Sequence, residues 1–247
     1  MATTSPANPD LWVAGLDGYR GGWVAVLAPV EAAGPLRVCR LETFDGVLTL
    51  PGAPVQVGVD MVIGLPEAAQ RGGRACDRAA RQILGRPRGS SVFSPPVRAV
   101  LAATSYAEAL AHNRASSAVG LGISIEAYHL LPKIREVDAV ITPERQGWIR
   151  EVHPELSFAA MTRGQAVAAG KRTAEGQATR RQLLADHGFE TVVAQVEAHT
   201  GRGLKADDLL DACAVCWSAR RLARKTAQRL PDEPERDARG LEMAIWY

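Results

Sequence analysis

The sequence predicts an α/β fold in which a mixed sheet, an antiparallel three-strand meander followed by parallel strands, is flanked by helices. Three observations carry this. Residues 11–41 hold three apolar stretches separated by glycine-bearing turns. A fourth run, 55–61, is apolar almost without interruption. The second half is mostly helical in pattern and ends in a long stretch from Asp207. Strands covered on both faces read as continuous apolar runs, whereas half-exposed strands alternate.

Taken in order, 11–16 is a buried strand, Gly21-Gly22 a tight turn, and 23–28 its antiparallel partner. Residues 36–41 alternate apolar and polar side chains as a half-exposed third strand, and 44–50 close the meander with a short helical segment. The run 55–61 is a central strand. A helix is expected over 75–84, a long loop over 85–96, and two helices over 105–117 and 125–137. A further strand, 148–153, is ended by Pro154. Helices over 174–186 and 207–229 and a terminal strand at 242–247 complete the plan, with no internal repeat. Three meandering strands, a helix, an acidic strand, helices, another strand and a late acidic helix is the order of ribonuclease H-like folds. In that arrangement acids near the ends of the first strand and of a parallel neighbour meet those of the final helix at one edge of the sheet.

With 247 residues, 47% of them hydrophobic, the chain can bury a sizeable core. A single domain with helical insertions is expected over 11–247, preceded by a loose tail at 1–10 that lacks the basic and apolar regions of a secretion signal. Cys39, Cys76, Cys213 and Cys216 are too scattered for a disulfide framework, which points to a reducing cytoplasm. Cys213-x-x-Cys216 lies in an Ala-rich helical run without a second pair, so packing explains it better than zinc. No stretch approaches the roughly 20 apolar residues of a membrane span. The net charge of +2 does not by itself call for nucleic acid, yet seven arginines stand against one acid, Asp77, between Arg71 and Arg98. That local excess suits phosphate oxygens, and a solvated arginine-rich helix is the plainer account.

The acids are the strongest functional signal. Asp17 closes an apolar run and Asp60 stands inside another. A lone carboxylate buried in a strand costs several kcal/mol or stays protonated, so each needs a partner or a cation. Asp208 and Asp211, three apart, share one face of the last helix. Asp207 and Asp208 are also suited to capping it; Asp211, a turn deeper, is not. Carboxylates converging from separate elements favour a hard divalent cation, Mg2+ or Mn2+. The expected ligands are Asp17, bridging two ions about 4 Å apart, with Asp60 on one side and Asp208 and Asp211 on the other. Glu151 ends the 148–153 strand and Glu155 begins the helix that Pro154 starts; either is a candidate for the metal shell or for anchoring the loop. His153 between them is a candidate to orient water or transfer a proton.

Several segments resemble domain-of-unknown-function family 429: Gly15-Leu16-Asp17-Gly18-Tyr19-Arg20-Gly21-Gly22-Trp23, Gly58-Val59-Asp60-Met61-Val62-Ile63-Gly64-Leu65-Pro66, Arg150-Glu151-Val152-His153-Pro154-Glu155 and Asp207-Asp208-Leu209-Leu210-Asp211-Ala212. Ser91-Val92-Phe93-Ser94-Pro95-Pro96 and the stretches around Lys133 and Lys171 add to the likeness, which runs from about Gly15 to Ala212. The resemblance implies a ribonuclease H-like fold and a nuclease activity; with the acids this gives a metal-dependent phosphodiester hydrolase, for which DNA, RNA, a branched junction or a small phosphoester all fit as substrate. Within its segments Arg20, Lys133 and Lys171 become candidates for holding the substrate phosphate. Two other functions compete: a non-catalytic module binding nucleic acid or a protein partner, and an actin-like nucleotide phosphotransferase, for which one copy of the fold is too few.

Overall fold

A computed structural model of the chain describes residues 11–31 and 34–247; the expected tail at 1–10 lies outside them. Five strands form the main sheet: β1 (Trp12–Tyr19), β2 (Gly22–Pro29), β3 (Arg37–Leu41), β4 (Gln56–Val59) and β5 (Ile149–Glu151). Their order is β3-β2-β1-β4-β5, with the first three antiparallel and β4 and β5 joining parallel to β1. This is the mixed α/β sheet expected, and the order is consistent with a ribonuclease H-like arrangement.

The helices are α1 (Ala75–Arg88), α2 (Tyr106–Ala115), α3 (Ile125–His129), α4 (Leu131–Val140), α5 (Pro154–Met161), α6 (Ala174–Leu184), α7 (Glu190–Ala194), α8 (Val196–His199) and α9 (Ala206–Ala223). Several boundaries differ from expectation for local reasons. The helix expected over 125–137 is two, because the chain turns at Leu130 before Pro132 opens α4. Helix α1 breaks at Gly85 and Arg86, and a further turn runs to Arg88, so part of the expected 85–96 loop is helical. The last helix stops at Ala223, six residues short of the expected end. Arg229–Leu230, as β6, instead pairs with Ile245–Trp246, as β7, in a small second sheet.

Strand periodicity divides the core. Ala14, Leu16, Trp23, Ala25, Leu27, Val57 and Val59 face a layer built from Leu131, Ile134 and Val137 of α4 together with Phe44. Val13, Val24, Val26 and Ala28 face the opposite way, onto Leu209, Leu210 and Cys213 of α9. Alternation thus puts Gly15 and Asp17 on the α9 side of β1. The parallel register pairs Gly15 with Gly58, which brings Asp60 beside Asp17. The Asp60 N–H donates to the Leu16 carbonyl at 2.9 Å and extends the ladder one residue past β4. Asp60 therefore caps the strand end rather than lying within the strand.

Glycines 15 and 58 explain how close α9 comes. A Cβ on Gly15 would lie 2.0 Å from the Cys216 amide nitrogen and 2.4 Å from the Ala212 carbonyl oxygen; one on Gly58 would lie 2.7 Å from a Val215 methyl. Only a residue without a side chain lets helix backbone rest on strand backbone in this way.

Candidate metal centre

Asp17, Asp60 and Asp211 meet where β1, β4 and the first turns of α9 converge. Each offers one carboxylate oxygen, and the three oxygens lie within 4.8 Å of one another. Asp17 and Asp211 are buried, 7% and 2% exposed, while Asp60 is partly exposed. The cleft they floor, about 220 Å³, is also lined by Gly18, Phe93, His153, Glu155 and Lys171.

Burial and repulsion from neighbouring carboxylates favour the protonated form of all three acids. Burial, then repulsion from Asp60 and Asp211, holds Asp17 well above the usual carboxylate range. Burial, then Asp211, pushes Asp60 up to about 8. Burial also lifts Asp211 to about 6, although Lys171 pulls against it. Lys171 Nζ stands 2.6 Å from Asp211 Oδ2 and, among the described residues, is the cation within ion-pair distance of the triad. Burial alone would lower the Lys171 ammonium, but Asp211, Asp17 and Asp60 outweigh it and raise it. One half-exposed lysine cannot balance three ionised carboxylates, so without an ion Asp17 and Asp60 hold their protons, and a hard dication could take the place of those protons. Opposite oxygens around Mg2+ stand about 4 Å apart and around larger dications about 5 Å, so the spacing suits an ion after little movement.

The remaining candidates divide. Asp208, one turn before Asp211, accepts the Lys205 N–H at 2.8 Å and closes the N-terminus of α9, the capping role weighed for it. Burial raises its carboxyl, and it adds to the repulsion on Asp17, so it stands behind the triad and outside the three-oxygen cluster. Asp207 lies 3.9 Å from Arg172.

Glu151 is held elsewhere. Arg74 Nη2 and Nη1 donate to its two oxygens at 2.5 and 2.8 Å, and the Ile63 N–H donates at 2.7 Å. The same guanidinium binds Asp77 at 2.7 Å, with every one of these side chains buried. Burial raises Glu151 and Arg74 draws it part of the way back. Glu155 lines the cleft; Arg180 holds its Oε1 at 2.6 Å, and its buried Oε2 has no hydrogen-bond partner. His153 caps α5, Nδ1 accepting the Glu155 N–H at 3.2 Å, and burial lowers its basicity, so the ring is neutral near pH 7 with its proton on Nε2.

Of the phosphate candidates, Lys171 alone touches the triad. Lys133 reaches its edge at Gly18 but lies over the Trp23 ring, 4.7 Å from its centroid, and pairs with Glu136 at 3.1 Å. Arg20 sits exposed on the β1–β2 turn, beside Gly203. Sequence reasoning missed Arg74 and Arg180. Arg74 and Asp77, three apart at a helix start, were a local signal; nothing near Arg180 announced that it would meet Glu155, 25 residues away.

Fold and site together define an α/β protein with a buried acidic cluster, able to hold a metal ion, at the strand ends of a mixed sheet. The chain belongs to the DUF429 family, described as proteins of unknown function, whose model matches residues 15–236. No curated protein and no solved structure matches it. Among the described residues no helix is long and apolar enough to cross a membrane, and all four cysteines are free.

Proposed function

We propose that the cleft is the active site of a metal-dependent phosphodiester hydrolase, a nuclease working in the cytoplasm on DNA or RNA. The observation that carries this reading is the triad: three carboxylate oxygens within 4.8 Å, drawn from three elements and matched by a single lysine. Asp17, Asp60 and Asp211 would hold Mg2+ or Mn2+, with Asp208 behind them. The ion when bound supplies Lewis-acid polarisation of a phosphoryl oxygen and a water of lowered pKa.

The chain's own groups complete the chemistry. Lys171, at 2.6 Å from Asp211, would bind a non-bridging phosphate oxygen. Glu155, anchored through Oε1 by Arg180, keeps Oε2 for a proton of the attacking water. His153 is suited to donating from Nε2 rather than to acting as a base.

The test is cleavage of end-labelled single-stranded and duplex oligonucleotides with Mg2+ or Mn2+. Asp17→Asn and Asp211→Asn should each lower the rate by at least ~100-fold, as expected for metal-held groups. Full activity in both variants would overturn the assignment. The non-catalytic alternative draws support from one contact, the Lys171–Asp211 pair, which already offsets part of the charge without a metal. Nucleic-acid binding without cleavage under either ion, undiminished in Asp60→Asn, would favour it.

A further inference from the structure

The seven arginines between Arg71 and Arg98 do not share one fate. Arg74 is enclosed by Asp77 and Glu151, and Arg98 by Asp138 and Asp237. Arg78 and Arg81 bond to neutral partners: Arg78 to the Gly73 carbonyl and Gln70, Arg81 to the carbonyls of Gly72 and Val92 and to Ser94 Oγ. Hydrogen bonds to neutral groups fix a guanidinium without cancelling its charge. Among the described residues Arg71, Arg78, Arg81, Arg86 and Arg88 have no carboxylate within ion-pair distance.

Arg71 and Arg81 line a cleft of about 700 Å³, together with Ser90, Ser94 and a single acid, Glu126. Phe93 lines this cleft and also the acidic one, so the two share a wall. Phe93 is half-buried, which presents part of its ring at the junction. A basic cleft that leads past an aromatic ring to a carboxylate triad matches the needs of one polymer class. Phosphates bind the fixed guanidinium groups, a base stacks on the ring, and the next phosphodiester reaches the acids.

We infer that the cleft lined by Arg71, Arg81 and Phe93 is the binding track for a single-stranded nucleic acid, deepening the hydrolase reading on which it rests by naming its substrate class. Depth favours one strand over two: Asp17 and Asp211 are 7% and 2% exposed at the floor of a space of about 220 Å³, which a duplex cannot enter and a flexible strand can. Arg81, holding both the Gly72 carbonyl and the 92–94 segment, positions the track; Arg71, exposed at its side, meets phosphate directly.

The test measures binding, not cleavage, so it is separable from the hydrolase reading. Fluorescence anisotropy in EDTA would follow fluorescein-labelled oligothymidylate and oligouridylate of about 15 nucleotides and a duplex of equal length. The single strands should bind more tightly than the duplex, with affinity falling with salt at a log–log slope near −0.7 per phosphate contact. Arg71→Glu should weaken binding about 10-fold or more and reduce that slope by about one contact, and Phe93→Leu should weaken it several-fold without changing the slope. The two oligonucleotides separate DNA from RNA. Duplex binding as tight as single-strand binding, no effect of Arg71→Glu, or no binding even in Asp60→Asn, where one repelling acid is gone, would each overturn the inference. Should the strand bind as described while Mn2+ titration followed by electron paramagnetic resonance finds no ion at the triad, the track stands and the metal-dependent hydrolase falls.

Discussion

Two buried acidic groups lie near the ends of β4 and β5, and they have opposite characters. In one, Arg74 bonds Glu151 and Asp77 together, with the Ile63 amide completing the set and distances of 2.5–2.8 Å. In the other, Asp17, Asp60 and Asp211 share a single lysine that touches only Asp211. Both break the rule that carboxylates avoid interiors, but only the first contains its own remedy. A compensated cluster is a strut; one with a single lysine for three acids has room for a cation. The balance of charge around acids, more than their number, separates structure from function here.

The sharpest way to break the comparison is to unpair the strut. Arg74→Met leaves Glu151 and Asp77 buried without a cation and should cost about 3–5 kcal/mol of stability, measured by urea denaturation. A loss below about 1 kcal/mol would mean the network carries no load.

The triad should respond the other way. Asp17→Asn should lower Mn2+ affinity by about 10- to 100-fold in calorimetric titration while leaving the thermal midpoint of the ion-free protein unchanged or raised. If that variant unfolds as readily as Arg74→Met, the two clusters are not distinct.

A smaller effect concerns pH. Asp60 titrates near 8 in the folded chain and near 3.8 in the unfolded one, so between these values the unfolded state is ionised and the folded state is not. Its contribution thus lowers stability progressively as pH rises from about 4 to about 8, with nothing further to lose above that range. Asp60→Asn should remove this slope and raise the thermal midpoint at neutral pH, by an amount that grows across the window from about 4 to about 8. Added Mg2+, which selects the ionised carboxylates, should stabilise the wild type more at the upper end of the same window. A gap between variant and wild type that stays constant across the window would refute the assigned shift.

What was legible in the sequence follows the range of the forces involved. The meander and the central acidic run were readable because strand periodicity is local, while setting Asp17 near Asp60 drew on the ribonuclease H-like order of the elements, and the register supplied the rest. Asp211 was readable from its three-residue spacing to Asp208. What a single position cannot reveal is its distant partner. Glu151 resembled the triad acids in sequence and differs because Arg74, 77 residues away, closes on it. Asp208 shares a helix face with Asp211 yet is engaged by the Lys205 amide, a distinction that depends on where the helix starts. The terminal strand expected at 242–247 is present as β7, but the helix end at Ala223 and β6 were missed because β6 is defined by that distant partner.

The backbone-to-backbone seat of α9 on β1 at Gly15 has one more consequence. Two of the three carboxylates ride on parts whose spacing is fixed by main-chain atoms in contact, so rearranged core side chains have little leverage over the gap between Asp17 and Asp211. The width of that gap is therefore decoupled from the tightness of the surrounding packing: the core can soften while the two carboxylates keep their spacing.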